Sequence, residues 1–499
     1  MNIKEVRLNI LLIHHKGSLS KINPYTRSSY IEPLALPYLA AAVESHGHNV
    51  IVENDSIYKN KFINILNEFK PKVIGFSVYS YTFQISLDFA RVAKNQKIYN
   101  NGSPIVVFGG YHPTACPEET ISKKCVDFVV IGEGEETLCE LLKFIENNNN
   151  DYNKVSGIAF KQKNNIVINS PRERIKDIDS LPFPKRERSK LIRCKQYQIS
   201  YPPPSQQQSV AQVLYSRGCP FSCSYCSSAL SWKKQIIWRS PEHVCDELEG
   251  LIKNYGTNLV YFPDLTFNAS KVKVLDFCKT LIKRELKIHW WGFFRLDLLD
   301  KEILAALVDA KCVKLSLGIE TPIQACAQKI KDKFEMNEKK QMEILQKANE
   351  LGLFLRGFLM IGFPEDTEEK LLTYPKYMLN NNFDEIRVCF VTPFPGTLLF
   401  NEVIKSGHIP DNINWSSMTT EKPYLKNTKL SSQHLLKLQK QIIRDFYMSK
   451  QYIKHVVNKT SKHPKLKQSF IEFFQFLKKN KIFINHEKEF YMIKESLQF

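Results

Sequence analysis

The chain has 499 residues, enough for two or three domains and a large core. A hydrophobic content of 43% and an aromatic content of 12% are typical of globular proteins, and no stretch reaches the ~18 apolar residues of a transmembrane helix. The 70 Lys and Arg residues outnumber the 51 Asp and Glu residues, and the net charge of +19 favours an anionic partner or surface, although a Lys-rich and Asn-rich background composition would give the same excess.

The number of cysteines and the N-terminal sequence indicate the cellular compartment of the protein. Twelve cysteines would indicate disulfides in a small secreted protein, but in a chain of this length they indicate a reducing environment. The first apolar run, at 10–13, is too short for the hydrophobic region of a signal peptide. We therefore expect a cytoplasmic protein.

The first 146 residues alternate strand and helix patterns. The predicted strands lie at 7–13, 49–53, 73–79, 104–108 and 127–131, and the predicted helices at 36–46, 62–69, 83–95 and 136–146. This alternation predicts a parallel, doubly wound sheet. Such a sheet binds its ligand at the carboxyl ends of its strands.

The loops at those strand ends are rich in glycine. Ser77 closes the third strand, the segment 109–114 closes the fourth and the segment 132–137 closes the fifth. The last segment begins like a dinucleotide fingerprint, but Thr137 replaces its third glycine and two acidic residues would face a pyrophosphate, which argues against a nicotinamide cofactor. The glycines instead predict the close approach of a large flat ligand to the backbone.

Residues 147–209 have the composition of a connector. A hairpin is expected at 155–168 around Asn164 and Asn165, and proline-rich loops at 180–184 and 201–204.

Residues 210–405 alternate again. Strands are expected at 210–215, 259–262, 289–293, 313–318, 354–361 and 385–391, and helices at 241–254 with Ser240 as N-cap, 271–285, 301–310, 323–331, 339–351 and 368–380. Six β/α units predict a partial or full parallel barrel, in which catalytic groups lie at the strand carboxyl ends.

A cysteine loop follows the first of these strands, with the spacing Cys219-x3-Cys223-x2-Cys226. Three thiolates are one short of a closed zinc site, and the next cysteine, Cys245, is too distant for finger spacing. An open coordination position indicates chemistry rather than structure. A redox pair of Cys223 and Cys226, or a zinc knuckle with a distant ligand, remains an alternative.

The cysteine loop, with Tyr225 before its last cysteine, resembles the signature loop of the radical S-adenosylmethionine (SAM) enzymes. The resemblance implies that Cys219, Cys223 and Cys226 hold a 4Fe–4S cluster whose fourth iron binds SAM. It continues at successive strand ends with Asp264, Arg295 and Glu320. Together with Phe221 and Tyr225, these three residues are the expected SAM contacts. Leu265 departs from the paired acidic residues of the family, and Asp264 and Arg295 could instead form a structural ion pair.

The N-terminal half resembles the cobalamin-binding domain that precedes the radical core in one large subgroup, which includes the class B methyltransferases and the anaerobic Mg-protoporphyrin cyclases. The matching segments are 33–40, 109–114 and 132–137. The expected cobalamin contacts are Ser77, Tyr79, Gly109, Gly110, Tyr111, His112, Gly132, Glu133, Gly134 and Glu135. The segment 54–59, where the wider family often carries a cobalt-ligating histidine, has none. The alternative is an ordinary doubly wound domain, or one that has lost its cofactor.

The C-terminal end carries no motif. Residues 426–499 contain 16 Lys or Arg against 5 Asp or Glu, with helices expected at 435–452 and 470–477. This basic and aromatic mixture could bind nucleic acid, membrane phosphates or an anionic substrate. We favour a helical cap with a solvated lysine face, because lysine is the commonest exposed residue.

The resemblances together imply an α/β protein. A Rossmann-like cobalamin-binding domain is expected at 1–146, a connector at 147–209, a partial TIM-type radical SAM barrel at 210–405 and a basic, mainly helical region at 406–499. The implied cofactors are a 4Fe–4S cluster, SAM and cobalamin, with an electron donor of the flavodoxin or ferredoxin type.

The implied reaction is methylation of an unactivated carbon, or of a phosphinate, in a small-molecule substrate that is anionic or a lipid. Cyclisation or rearrangement without methyl transfer, tRNA modification, and a non-catalytic redox or sensor role are the alternatives. Nucleic acid is not the expected partner, and peripheral membrane contact is left open.

Overall fold

The computed structural model describes residues 7–15, 33–53, 58–96, 102–163, 165–187, 199–333, 337–410, 412–426 and 429–479. Several predictions fall outside these ranges: most of the segment 54–59 without a histidine, the hairpin turn at 164, the middle of the connector and the end of the basic tail. In the described part of the chain no helix is both long and apolar enough to cross a membrane.

The N-terminal half folds into a sheet with helices on both faces. Its five parallel strands are β1 (Asn9–His14), β2 (Asn49–Glu53), β3 (Val73–Ser77), β4 (Ile105–Gly109) and β5 (Phe128–Val130). The helices are Ala35–Ser45, Lys59–Phe69, Phe83–Lys94, Tyr111–Ala115, Pro117–Ser122 and Glu135–Glu146. Successive residues of each strand enter two separate apolar clusters, one on each face of the sheet, as expected for a doubly wound fold.

A hairpin that was expected within the connector completes this sheet. Its strands β6 (Ile158–Gln162) and β7 (Asn165–Ile168) pair antiparallel, and β6 adds to the edge of β5. The strand order is therefore β2-β1-β3-β4-β5-β6-β7. The buried residues Ile158, Ala159 and Phe160 explain the addition, because they pack against both faces of the preceding strands.

The second half forms an open parallel barrel behind a short antiparallel ribbon. Its strands are β8 (Val210–Gln212), β9 (Ser216–Gly218), β10 (Ile236–Trp238), β11 (Leu259–Phe262), β12 (His289–Phe294), β13 (Cys312–Glu320), β14 (Phe354–Ile361) and β15 (Glu385–Phe390). The six-stranded sheet has the order β15-β14-β13-β12-β11-β8, and β9 and β10 form the ribbon.

Most helices of this half cover the outer face of the sheet. The helices are Ser228–Trp232, Pro241–Tyr255, Lys271–Lys283, Lys301–Asp309, Gln324–Ile330, Glu338–Glu350, Glu368–Leu372, Tyr374–Asn380 and Leu398–Lys405. The Ser240 side chain caps its helix by accepting from the N–H of His243 at 3.3 Å. The single helix expected at 368–380 is instead two, because Pro375 favours a new first turn.

The basic C-terminal region packs against the barrel. Its helices are Ser432–Tyr447, Lys450–Lys462 and Lys467–Lys479, and their apolar faces belong to the same core cluster as the barrel strands. Lys459 is an exception to the exposed lysine face, because it is buried and donates to the carbonyl oxygen of Leu353 at 2.7 Å and to Asp384 at 2.5 Å.

Residues 412–426, here called the strap, return from the barrel to the N-terminal half. The Trp415 indole Nε1 donates to Glu119 Oε1 at 3.1 Å. Its ring lies 4.9 Å from the His112 ring. The two halves are thus joined both by the connector and by the strap.

Candidate active site between the two sheets

The cysteine loop begins directly after the short strand β9. The carboxylate of Asp264, at the end of β11, accepts from the backbone N–H of Tyr215 at 3.1 Å and of Ser216 at 2.5 Å. Gly218 then takes φ +106°, and a Cβ atom there would clash with the carbonyl of Gln235. These contacts aim the chain toward the carboxyl ends of the barrel strands.

Hydrogen bonds from the barrel fix the cysteine loop further along. The N–H of Ser222 donates to Asp332 Oδ2 at 2.9 Å, and the N–H of Ser224 donates to the carbonyl oxygen of Ile330 at 2.9 Å. The N–H of Leu399 donates back to the carbonyl oxygen of Ser224, also at 2.9 Å. The loop is therefore held by segments that lie more than 100 residues after it in the sequence.

The three thiols of the loop differ in their exposure. Cys219 is buried and Cys223 and Cys226 are half-buried. Among the described residues, three ligand atoms that all lie within 4.8 Å of one another belong to His112, Cys116 and Glu119, and the three loop thiols do not form such a group. Thiolates around one zinc ion would lie roughly 3.8 Å apart.

The environment of the thiols also fits metal ligation. Burial raises the pKa of Cys223 and of Cys226, so both are neutral thiols until a metal displaces the proton. Cys226 Sγ lies 3.2 Å from Ser228 Oγ, and Cys219 Sγ lies 3.5 Å from Thr266 Oγ1. Such hydroxyl contacts are the kind that tune cluster sulfurs.

Glu320 lies at the end of β13 in an unusual backbone conformation. Its φ is +59°, beside a register shift in the pairing of β13 with β14. Its Oε2 is 3.3 Å from Lys331 Nζ, and burial together with this carboxylate raises the pKa of Tyr225 well above its usual value. A left-handed non-glycine residue costs about 1–3 kcal/mol and is typical of functional sites.

Arg295 reaches the cysteine loop from the end of β12. Its guanidinium lies 3.8 Å from the centre of the Phe221 ring and pairs with Asp297 Oδ2 at 2.8 Å. Its Nη1 is buried without a hydrogen-bond partner among the described residues. This nitrogen can donate to a carboxylate, and SAM has one. The ion pair with Asp264, which the sequence left as an alternative, does not form, because Asp297 takes its place.

Asp264 differs from its expected role as a SAM contact. It is almost fully buried, and it also accepts from Ser216 Oγ at 2.6 Å. Burial raises its pKa to about 6, although the hydrogen bonds from Ser216 and Tyr215 act in the opposite direction. Its visible contacts therefore position the cysteine loop, and a direct contact with SAM stays a prediction.

A cavity of about 590 Å³ lies between the two halves of the molecule. One wall contains nine of the ten residues expected to contact cobalamin: Ser77, Tyr79, Gly109, Gly110, Tyr111, Gly132, Glu133, Gly134 and Glu135. The opposite wall belongs to the barrel half and includes Gln212, Leu214, Ser216, Arg217, Gly218 and Trp232. The glycine loops and the entry to the cysteine loop thus face a common space.

The walls of this cavity fit a large flat ligand. At Gly132, with φ +84°, a Cβ atom would meet nothing within 4 Å and would project into open space. The Tyr79 ring stacks on Tyr81 and on Tyr111, with centroids 5.6 Å apart in each case. Aromatic faces and bare backbone together suit a macrocycle.

His112 is the expected cobalamin contact that the structure turns away from the cavity. It is buried, its Nδ1 lies 3.1 Å from Ser80 Oγ, and its ring packs 4.3 Å from Phe83. Burial lowers the pKa of His112 to about 4. The strap residue Trp415 covers the other side. His112 follows Gly110 on a short helix, and the helical turn directs its side chain into the domain.

A buried ionic network crosses from one half to the other. Arg217 donates to Glu135 Oε1 at 2.7 Å and to Glu133 Oε1 at 3.3 Å, and its guanidinium lies 4.8 Å from the centre of the Tyr38 ring. Arg174 Nε donates to Glu133 Oε2 at 3.4 Å. The carboxylates of Glu133 and Glu135, which were expected at a cofactor, are thus paired with arginines that the sequence did not single out.

Comparison with known proteins agrees with the division of the chain into two halves. Residues 22–142 match the model of the B12 binding domain, and residues 213–374 match that of the radical SAM superfamily. An uncharacterized methyltransferase of Pyrococcus horikoshii is 27% identical over 83% of this chain and 88% of its own length. The anaerobic magnesium-protoporphyrin IX monomethyl ester cyclase of Cereibacter sphaeroides is 27% identical over 84% of this chain and 67% of its own length.

A solved structure shares the fold of the whole chain. The cobalamin-dependent SAM radical enzyme OxsB, solved with aqua-cobalamin and SAM bound, superposes with a TM-score of 0.69 at 15% identity. The match covers 99% of this chain and 80% of OxsB. At this identity the likeness establishes the architecture: a doubly wound domain followed by a partial barrel.

Proposed function

We propose that this chain, a cobalamin-dependent radical SAM enzyme, methylates a carbon without an acidic proton, or a phosphinate, in a small-molecule or lipid substrate. The observation that supports this most is the shared cavity, whose two walls carry the glycine loops and the entry to the cysteine loop. A carbon of this kind lacks the lone pair that ordinary methyl transfer from SAM requires.

The residues that would hold the cofactors follow from the site. Cys219, Cys223 and Cys226 are proposed to hold the cluster, and Arg295 Nη1 the carboxylate of SAM. Glu320 and Tyr225 flank the same space. When bound, the cluster and SAM supply a radical that removes a hydrogen atom from the substrate, and cobalamin supplies the methyl group.

The chain's own contribution would be placement and exclusion of water. Asp264 fixes the entry to the cysteine loop and Asp332 fixes its middle, both through backbone hydrogen bonds. The Arg217–Glu135 pair holds the two walls of the cavity together at 2.7 Å. Tyr79 presents an aromatic face and a neutral hydroxyl, because burial raises its pKa above an ordinary value that already lies well above neutrality.

The test uses SAM with a trideuterated methyl group. Anaerobically reconstituted protein with cluster and cobalamin is incubated with labelled SAM, a reductant and a small-molecule extract of the source cells. Methyl transfer predicts a product that retains the three deuterons, together with 5′-deoxyadenosine. A product of unchanged carbon count, formed with 5′-deoxyadenosine, would refute methyl transfer and support the second candidate.

That second candidate is cyclisation or rearrangement without methyl transfer. It is favoured by the similarity to the magnesium-protoporphyrin cyclase, which reaches the same 27% identity as the similarity to the methyltransferase. The trideuterated label separates the two reactions, because a cyclase leaves no deuterium in its product.

The cluster assignment has its own test. Replacement of Cys219, Cys223 and Cys226 by Ala should remove bound iron and sulfide, whereas Cys245→Ala and Cys278→Ala, at buried helical positions, should retain both. Iron and sulfide are counted after anaerobic reconstitution. A full cluster content in the triple variant would contradict the assignment.

A further inference from the structure

The inner surface of the barrel, here called the lumen, carries side chains that the proposed cofactor sites do not use. Leu315, Leu355 and Val388 point outward into the helix-covered core. Side chains of the opposite parity point inward, because successive residues of a strand alternate between the two faces. They include Tyr261, Trp291, Ser316, Phe358 and Arg387.

The base of the lumen holds a cluster of charged groups around Glu385. Glu385 Oε1 pairs with Arg356 Nη2 at 2.5 Å, and Glu385 Oε2 with Lys314 Nζ at 3.4 Å. Both cations lie near the face of the Trp291 ring, at 5.6 Å and 5.4 Å from its centre. Both oxygens of this carboxylate are thus occupied, and burial lowers the pKa of Lys314 to about 7.

Arg387 lies one layer above this base, paired in register with Phe358 of β14. Within the described ranges it has no ion-pair contact, and its Nε is buried without a hydrogen-bond partner. Two other buried groups that face the lumen are in the same condition: Ser316 Oγ and Trp291 Nε1. Buried polar groups are rarely left without partners, and a bound group with acceptor oxygens would satisfy these donors.

Aromatic rings line the remaining lumen around these donors. Tyr261 stacks on Trp291 with centroids 4.0 Å apart, and Phe293 meets Phe358 at 5.6 Å. A ligand that meets both the donors and the rings would combine an anionic group with an apolar or aromatic body. Arginine is suited to a carboxylate or phosphate because its donors form a planar fork.

We propose that the lumen binds an anionic group of the substrate, a carboxylate or a phosphate, through Arg387, with Ser316 and Trp291 as further donors one and two register layers below it. The inference rests on the proposed function, since it assigns the class of substrate on which the enzyme would act. SAM also has a carboxylate, but Arg295 lies against the cysteine loop and has the unpartnered Nη1 that this group needs. Arg387 is therefore assigned to the substrate.

The test measures binding and needs no turnover. Wild-type protein with cluster and cobalamin is titrated calorimetrically with benzoate, phenyl phosphate and the neutral benzamide, and separately with SAM. We expect the anionic probes to bind and benzamide to bind at least tenfold more weakly. Arg387→Gln should weaken the anionic probes at least tenfold and leave SAM within about twofold. The control is Arg444→Gln, whose side chain is 47% exposed on a surface helix.

Several outcomes would overturn the proposal. These are wild-type protein that binds neither anionic probe, Arg387→Gln protein that binds them normally, and a loss confined to SAM affinity. If Arg387→Gln does not fold, Trp291→Phe and Ser316→Ala decide, since each removes one donor, and unchanged probe binding in both contradicts the assignment. A product without deuterium would refute methyl transfer yet leave these binding results intact.

Discussion

The ionic pair between the two halves allows a quantitative prediction. Glu135→Gln removes the carboxylate that Arg217 contacts at 2.7 Å, in a place where both side chains are less than 10% exposed. Breaking a buried ion pair by removing one partner costs about 3–5 kcal/mol, because a charge remains in a poorly solvated site. Glu133, at 3.3 Å from Arg217, stays as a second acceptor and should recover about 1–2 kcal/mol. The free energy of unfolding should therefore fall by about 1–4 kcal/mol.

The adjacent residue provides a matched control. Glu136 follows in the same helix, but its side chain is 53% exposed and approaches Arg172 only to 3.8 Å. An exposed pair of this kind contributes about 0–1 kcal/mol, so Glu136→Gln should unfold almost as the wild type does. The same change from carboxylate to amide is thus made one residue apart, in a buried and in an exposed setting.

The assay is equilibrium urea unfolding without added cobalamin, so that lost stability is not lost cofactor binding. Unfolding is followed by circular dichroism and by tryptophan fluorescence, because Trp232 lies 4.8 Å from Arg174 of the same network. A variant weakened at the interface should lose the fluorescence signal at lower urea than the control. Identical midpoints for Glu135→Gln and Glu136→Gln would refute the reasoning.

Three further predictions concern the cavity, the cysteine loop and pH. Gly132→Phe should abolish cobalamin uptake by filling the space beside the loop, whereas Gly102→Phe, at φ +114° and equally open, should retain it; equal uptake measured by absorbance would contradict this. Asp264→Asn should lower iron content, because an amide has one acceptor oxygen where the carboxylate has one for each of the two backbone N–H groups; normal iron content would refute it. Burial lowers the pKa of His15 from its usual 6.5 to about 4, so the folded state resists protonation. Stability should fall by about 2 kcal/mol from pH 7 to pH 5, and His15→Phe should remove that part of the loss; an unchanged pH dependence in the variant would contradict it.

Local patterns predicted the two α/β units well, because each strand and helix carries its own period and its own end signals. Ser240, for example, was expected as an N-cap and caps its helix. The hairpin strands β6 and β7 were also expected, but their place in the first sheet was not. Their place in the sheet depends on the pairing of Phe160 with a residue of β5. A hairpin pattern in the sequence does not identify the strand that lies beside the hairpin.

The sequence predicts site residues that lie together in one segment, but not those that come together from distant segments. The spacing of Cys219, Cys223 and Cys226 indicates a cluster without any structure. Arg217 and Arg174 gave no signal, since a lone arginine in a basic chain is usually exposed, and their acidic partners lie about 40–85 residues away. Arg387 was missed for the same reason: its lack of a carboxylate is a property of the assembled lumen.

The strap has a consequence for the modularity of the protein. Trp415 covers His112 and donates to Glu119, although it comes from beyond the barrel. A fragment that ends before β8 would expose this buried surface and leave Glu119 without its indole donor. The N-terminal half is thus not an independent domain that can be removed or exchanged at a single junction. Chimeras with related enzymes would need to exchange residues 412–426 together with the first sheet, so that both parts of this contact come from the same parent.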